Sequence, residues 1–76
     1  MEVVIGGIYR HFKGHVYKVL CIGSDVDSPS KKLVIYQNVD TNEIWVREYY
    51  NFLSKVDKVK YPNVLQEYRF ELVKHD

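Results

Sequence analysis

Apolar and polar positions alternate along most of this chain, and the alternation predicts strands. Glycines bracket the first run, Ile8-Tyr9-Arg10-His11-Phe12, with Gly6-Gly7 before it and Lys13-Gly14 after it. Glycine reaches the positive φ that tight turns require, so this is a first strand closed by a turn. His15 to Ile22 is the clearest strand, with Lys18 outward and Tyr17, Val19 and Cys21 inward by the period of two. The polar stretch from Gly23 to Ser30 reads as a mobile loop. Lys31 to Val39 resumes a strand, Asp40-Thr41-Asn42-Glu43 supplies turn chemistry, and a strand through Trp45 returns antiparallel to it.

After Arg47 the period changes. Tyr49, Phe52, Leu53 and Val56 fall at i, i+3, i+4 and i+7, the spacing of one helical face, which predicts one short helical turn near residues 49–54. Residues 57–66 read as a loop, and Glu67 to Val73 alternates again as a closing strand. The sum is a mostly β domain, a small five-stranded, strongly bent antiparallel barrel of SH3-like kind, with an OB-like barrel as the alternative.

The stretch from Glu43 to Phe52 carries the only tryptophan and a dense set of aromatics. Alternation there puts Ile44 and Val46 on one face, predicted to feed the core, and Trp45, Arg47 and Tyr49 on the other. If the face of the first strand that carries Tyr9 and His11 lies nearby, then Tyr9, His11, Trp45 and Arg47 form an aromatic floor with cationic edges. Such a floor suits a planar anion or a protein partner: Trp45 stacks, Arg47 donates a bidentate pair, and His11 adds a hydrogen bond. Each residue also has a plainer role, Trp45 as a lid on the core, Arg47 paired with Glu48 or Glu43, and His11 as a hydrogen-bonded structural histidine. Tyr17 and Tyr36 are assigned to the core edge.

Composition narrows the classes. At 76 residues the chain reads as a single domain, 1–76, and a fold this small has a modest core that self-association would help. The apolar share of 46% and the charged share of 28% are those of a globular domain. A net charge of +1 argues against a strongly basic nucleic-acid module. The segment Lys55, Lys58, Lys60 and Tyr61, with cations interleaved by an aromatic, nevertheless offers a weak, sequence-tolerant nucleic-acid surface. A third reading is an accessory subunit of a larger assembly. The start, Met1-Glu2-Val3-Val4-Ile5, has neither a basic n-region nor a long apolar run, so the expectation is a cytoplasmic protein without a membrane span.

Catalytic signatures are missing: there is no triad spacing, no paired carboxylates and no phosphate-cradling glycine loop, so a non-catalytic module is expected, with no cofactor. Asp25 and Asp27 match only a fragment of a calcium loop. His11 and His15 are four apart, a spacing that joins them on a helix, whereas this stretch reads as strand and turn, so no zinc site is expected. Cys21, the only cysteine, lies between apolar neighbours and reads as a small buried hydrophobe.

One resemblance covers nearly the whole chain. Gly7-Ile8-Tyr9-Arg10-His11-Phe12-Lys13-Gly14, Tyr17-Lys18-Val19, Leu33-Val34-Ile35-Tyr36-Gln37, Trp45-Val46-Arg47 with Phe52-Leu53, and Arg69-Phe70 occur in the order seen in a small bacterial family. The sequence resembles the domain of unknown function family numbered 1653, with its opening G-x-Y-R-H-[FY]-K-G and central W-V-R. Two positions depart from that pattern. The polar segment before the third strand is here Asp25 to Ser30, and the proline after W-V-R is Glu48. The resemblance implies a fold and signature residues and carries no activity with it.

Overall fold

The computed structural model describes residues 1–75. Five strands, β1 (Gly7–His11), β2 (Val16–Asp25), β3 (Ser28–Asn38), β4 (Ile44–Glu48) and β5 (Phe70–His75), form one antiparallel sheet in the order β4-β3-β2-β1-β5. A single helical turn, α1 (Tyr49–Phe52), follows β4. The predicted β-rich architecture and the helical turn are therefore present. Closure is not: the sheet is open, with β4 and β5 at its two edges.

The stretch from Gly23 to Ser30, expected as a loop, is instead the tip of the longest hairpin. Gly23 pairs with Leu33, Ser24 with Lys32 and Asp25 with Ser28. Only Val26 and Asp27 turn, and the Asp25 carboxylate caps that turn by accepting from the Asp27 N–H at 2.8 Å. The ladder reaches the tip through an irregularity, its register shifting between Ser24 and Asp25, so the turn-favouring residues sit in a distorted end of the hairpin.

Bulges supply the bend. The β2–β3 register shifts between Val19 and Cys21, which leaves Leu20 as an extra residue, and again near the hairpin tip, and a third shift lies between Ile8 and Tyr9 on the β1–β5 side. The first shift also overturns the expectation for Cys21. Val19 is fully buried, but the inserted residue changes the phase, so Cys21 is exposed and Ile22 packs against the core in its place.

One sheet face carries the core: Tyr9 from β1, Val19 from β2, Val34 and Tyr36 from β3, and Phe70 from β5. α1 closes it with Phe52, whose ring stacks on Phe70 at 4.0 Å and meets Tyr9 and Tyr36 edge-on. Burying a Phe ring is worth about 3 kcal/mol, so this contact anchors the helical turn. Glu48 starts the turn as its N-cap, accepting from the Asn51 N–H at 2.8 Å. Gly7 is packed so closely that a Cβ there would lie 2.9 Å from both Leu72 Cδ1 and the Val4 carbonyl oxygen. No helix among the described residues is long and apolar enough to cross a membrane.

Candidate functional site

Pairing with β3 decides which side of β4 faces inward. Tyr36 lies directly opposite Trp45, and Val34 opposite Arg47. Residues directly opposite in an antiparallel pair share a face, and Val34 and Tyr36 are buried, so Trp45 and Arg47 project toward the core side of the sheet. The expectation that Ile44 and Val46 feed the core is thus corrected. They lie on the outer face and are 58% and 59% exposed. Hydrophobicity within β4 suggested the opposite phase, and the partner strand overrode it.

Beyond the edge of the core this side opens into a cleft of about 250 Å³. Aromatic walls come from Tyr17, Tyr36, Trp45 and Phe70, and polar groups from His11, Lys13, His15 and Arg47. Three of the four residues predicted for the ligand surface, His11, Trp45 and Arg47, therefore meet there. Tyr9 does not line it. Tyr9 is 4% exposed, takes its place in the core, and accepts from the Val4 N–H at 2.9 Å through its hydroxyl. Burial raises its phenol pKa above the ordinary value.

Arg47 is positioned from three sides. Its Nε donates to the Tyr36 hydroxyl at 3.2 Å, one terminal nitrogen donates to Asn51 Oδ1 at 2.6 Å, and the guanidinium carbon lies 5.6 Å from the centre of the Phe70 ring. Its partners are neutral, and the predicted pairing with Glu48 or Glu43 is absent: the Glu48 carboxylate is spent on the helix cap. Among the described residues the one ion pair is Lys55–Glu67 at 3.4 Å, outside the cleft. Arg69, whose Nε donates to Ser54 Oγ at 3.1 Å, adds further positive charge nearby. Burial, and next the field of Arg47, lower its pKa. The cleft thus has fixed cationic edges with no carboxylate in its lining.

His11 is nearly buried at the end of β1. Its Nδ1 accepts from the Lys13 N–H at 3.1 Å, and its ring lies against Phe12 at 4.3 Å and edge-on to Phe70 at 5.0 Å. Burial lowers its pKa to about 4, assisted by the charges of Arg47, Arg69, Lys13 and His15. At neutral pH the imidazole is uncharged. With Nδ1 accepting, the proton sits on Nε2, a hydrogen-bond donor of fixed tautomer.

The β1–β2 turn also brings together the two histidines that spacing alone had set apart. The His11 N–H donates to the His15 carbonyl at 2.8 Å, Gly14 provides the positive φ of +101°, and both side chains line the cleft. A hairpin places i and i+4 side by side across its turn, as a helix does along its axis. Even so, no group of three or more His, Cys, Asp or Glu among the described residues is arranged to hold a metal.

Trp45 remains 48% exposed at the rim of the cleft, an open ring rather than a lid. Tyr36 and Tyr17, assigned to the core edge, both contribute walls and meet edge-on at 5.1 Å. Alternation along β3 was the signal for Tyr36, since it shares a parity with Val34. Phe70 could not be found from β5 alone, because its role depends on pairing with His11.

The lysine segment is differently placed. Lys55 pairs with Glu67, and Lys58 Nζ donates to the carbonyl oxygens of Val64 and Gln66, so both serve their own loop. Tyr61 lies beside Phe12 and Lys13, and Lys60 lies against the Tyr61 ring.

The frame holding the cleft, from the first residue of β1 to Leu72 in β5, is also the span recognised by a family model. Residues 7–72 match the family described as protein of unknown function (DUF1653). The chain belongs to this family. The DUF1653 match takes in every residue that lines the cleft and leaves out the N-terminal segment before β1. Neither the curated proteins nor the solved structures contain a match to the chain.

Proposed function

We propose that this DUF1653 chain is a non-catalytic binding module whose cleft takes a small planar anion, a ring bearing a carboxylate or phosphate. The observation that carries the reading is Arg47, held by Tyr36, Asn51 and the Phe70 ring beside an open indole, with no carboxylate in the lining. A guanidinium kept in place by neutral partners retains donors for an incoming anion and loses little freedom on binding it. Trp45 offers a stacking face, and the neutral His11 offers a single donor. The lining also lacks a serine or cysteine nucleophile, which favours binding over acyl or phosphoryl transfer. The single, exposed thiol of Cys21 suits a reducing compartment such as the cytoplasm. β1 to β4 run as a plain meander with a helical turn leading toward the last strand, which favours an SH3-like description of the curl over the Greek-key OB type.

Benzoate and thymidine monophosphate, titrated while the fluorescence of Trp45 is followed, test this reading. Saturable quenching is expected, weakened about tenfold or more by Arg47→Ala, because a charge-assisted hydrogen bond contributes roughly 1.5–3 kcal/mol. An Arg47→Ala protein that binds these anions as well as the parent overturns it.

A further inference from the structure

We propose that the cleft is one end of a longer site for a short single-stranded nucleic acid, with the Phe12–Tyr61 shelf as its second subsite. This rests on the anion-binding reading of the cleft and extends it to a ligand class. In the sequence the Trp45–Arg47 surface and the Lys60–Tyr61 surface are separate. In the fold they join. His11, in the cleft, lies against Phe12 at 4.3 Å with the rings 29° apart, and Phe12 in turn meets Tyr61 at 4.9 Å. Lys13 belongs to both parts: it lines the cleft, and its Nζ lies 5.6 Å from the centre of the Tyr61 ring. Lys60 Nζ lies 5.5 Å from the same ring.

The shelf is built rather than incidental. Phe12 N–H donates to the Arg69 carbonyl at 3.0 Å, Gln66 Nε2 donates to the Arg10 carbonyl at 3.0 Å, and Tyr61 N–H donates to the Asp57 carbonyl at 2.8 Å. The Gln66–Arg10 bond ties the 57–66 loop to β1, the Phe12–Arg69 bond holds the β1 turn against the chain entering β5, and the Tyr61–Asp57 bond shapes the loop that carries Tyr61. Phe12 and Tyr61 stay half-exposed, and Lys13 and Lys60 are exposed on flexible stems.

Charge and rings together select the ligand. One small anion uses Arg47 and leaves the cations of the shelf without a counter-charge. A polyanion with a planar group at each repeat uses both the cations and the rings, and a single-stranded oligonucleotide has that pattern. An acidic peptide would meet the lysines and leave the ring faces idle, and a duplex hides its base faces from such a surface. The cations of the joined surface are few, Arg47, Lys13 and Lys60, which matches a site of a few nucleotides.

Trp45 quenching by thymidine monophosphate and by thymidine oligonucleotides of two and four units tests the extension. Going from one unit to two is expected to tighten binding about tenfold, from one added stacked base. Tyr61→Ala should remove that gain while leaving the monophosphate affinity unchanged. Neutralising roughly two phosphates predicts a slope near −1.4 for the logarithm of affinity against the logarithm of salt concentration. An oligonucleotide no tighter than the monophosphate, a Tyr61→Ala protein that keeps the full gain, or a tetraglutamate or a duplex that competes equally well would refute the extension while the cleft reading stands. Failure of the monophosphate and of benzoate to bind at all would refute the cleft reading itself.

Discussion

Lowering the pH should destabilise this protein in part through the protonation of His11. Its imidazole has an ordinary pKa of 6.5, held down to about 4 in the fold, chiefly by burial and then by Arg47, Arg69, Lys13 and His15. A group whose folded pKa is depressed takes up its proton more readily in the unfolded chain. Its contribution is therefore complete above pH 6.5 and is lost as the pH falls from there toward 4. At about 1.4 kcal/mol per pH unit the shift sets a ceiling of roughly 3.5 kcal/mol. Screening of the exposed Lys13 and His15 charges brings the expectation to about 2 kcal/mol. Urea unfolding of the parent and of His11→Asn at pH 7.5, 5.5 and 4.5 measures it. The Asn side chain keeps an acceptor near the Lys13 N–H and cannot titrate, so carboxylate effects common to both proteins cancel in the difference. The parent should lose about 2 kcal/mol more than the variant across that range. Equal losses, or an imidazole that titrates near 6.5 in the folded protein by NMR, would refute the assignment. A bound anion offsets the cations around His11, so ligand should also raise its pKa, and by linkage binding should tighten toward lower pH.

Four substitutions test the packing. Gly7→Ala places a methyl 2.9 Å from Leu72 Cδ1 and the Val4 carbonyl, and should cost about 1–3 kcal/mol in urea unfolding. Phe52→Ala removes the ring stacked on Phe70 at 4.0 Å and should cost about 3–5 kcal/mol, enough to leave much of so small a chain unfolded by circular dichroism at 37 °C. Val46→Ser, on the exposed side of β4, should change stability by under about 1 kcal/mol, whereas Val34→Ala, across the sheet pairing from Arg47, should cost about 2 kcal/mol.

Much of the architecture was legible because alternation and turn residues act locally. Gly14 at the first turn, Asn42 at φ 64° in the third, and the i, i+3, i+4, i+7 set closed by Phe52 and Val56 are signals a few residues wide, and each is present in the fold. What failed was phase across strands. Cys21 faces outward because of an extra residue at Leu20, and Ile44 and Val46 face outward because Tyr36 and Val34 set the facing of β4. Neither cause lies within the segment it affects. The cleft was half legible for the same reason. Trp45 and Arg47 announce themselves by type, and His11 by its place at the end of a strand. Phe70 joins them only through β5 pairing with β1, and the approach of Tyr61 to Phe12 depends on how a ten-residue loop docks.

The central claim is that Arg47 and Trp45 together hold an anion in the cleft beside His11. NMR of the arginine Nε–H, the indole N–H and the imidazole during titration with thymidine monophosphate tests it most directly. All three signals should move together with one saturation curve. Shifts confined to the separate pocket lined by Leu53 and Leu72, or no saturable shift at Arg47, would contradict it.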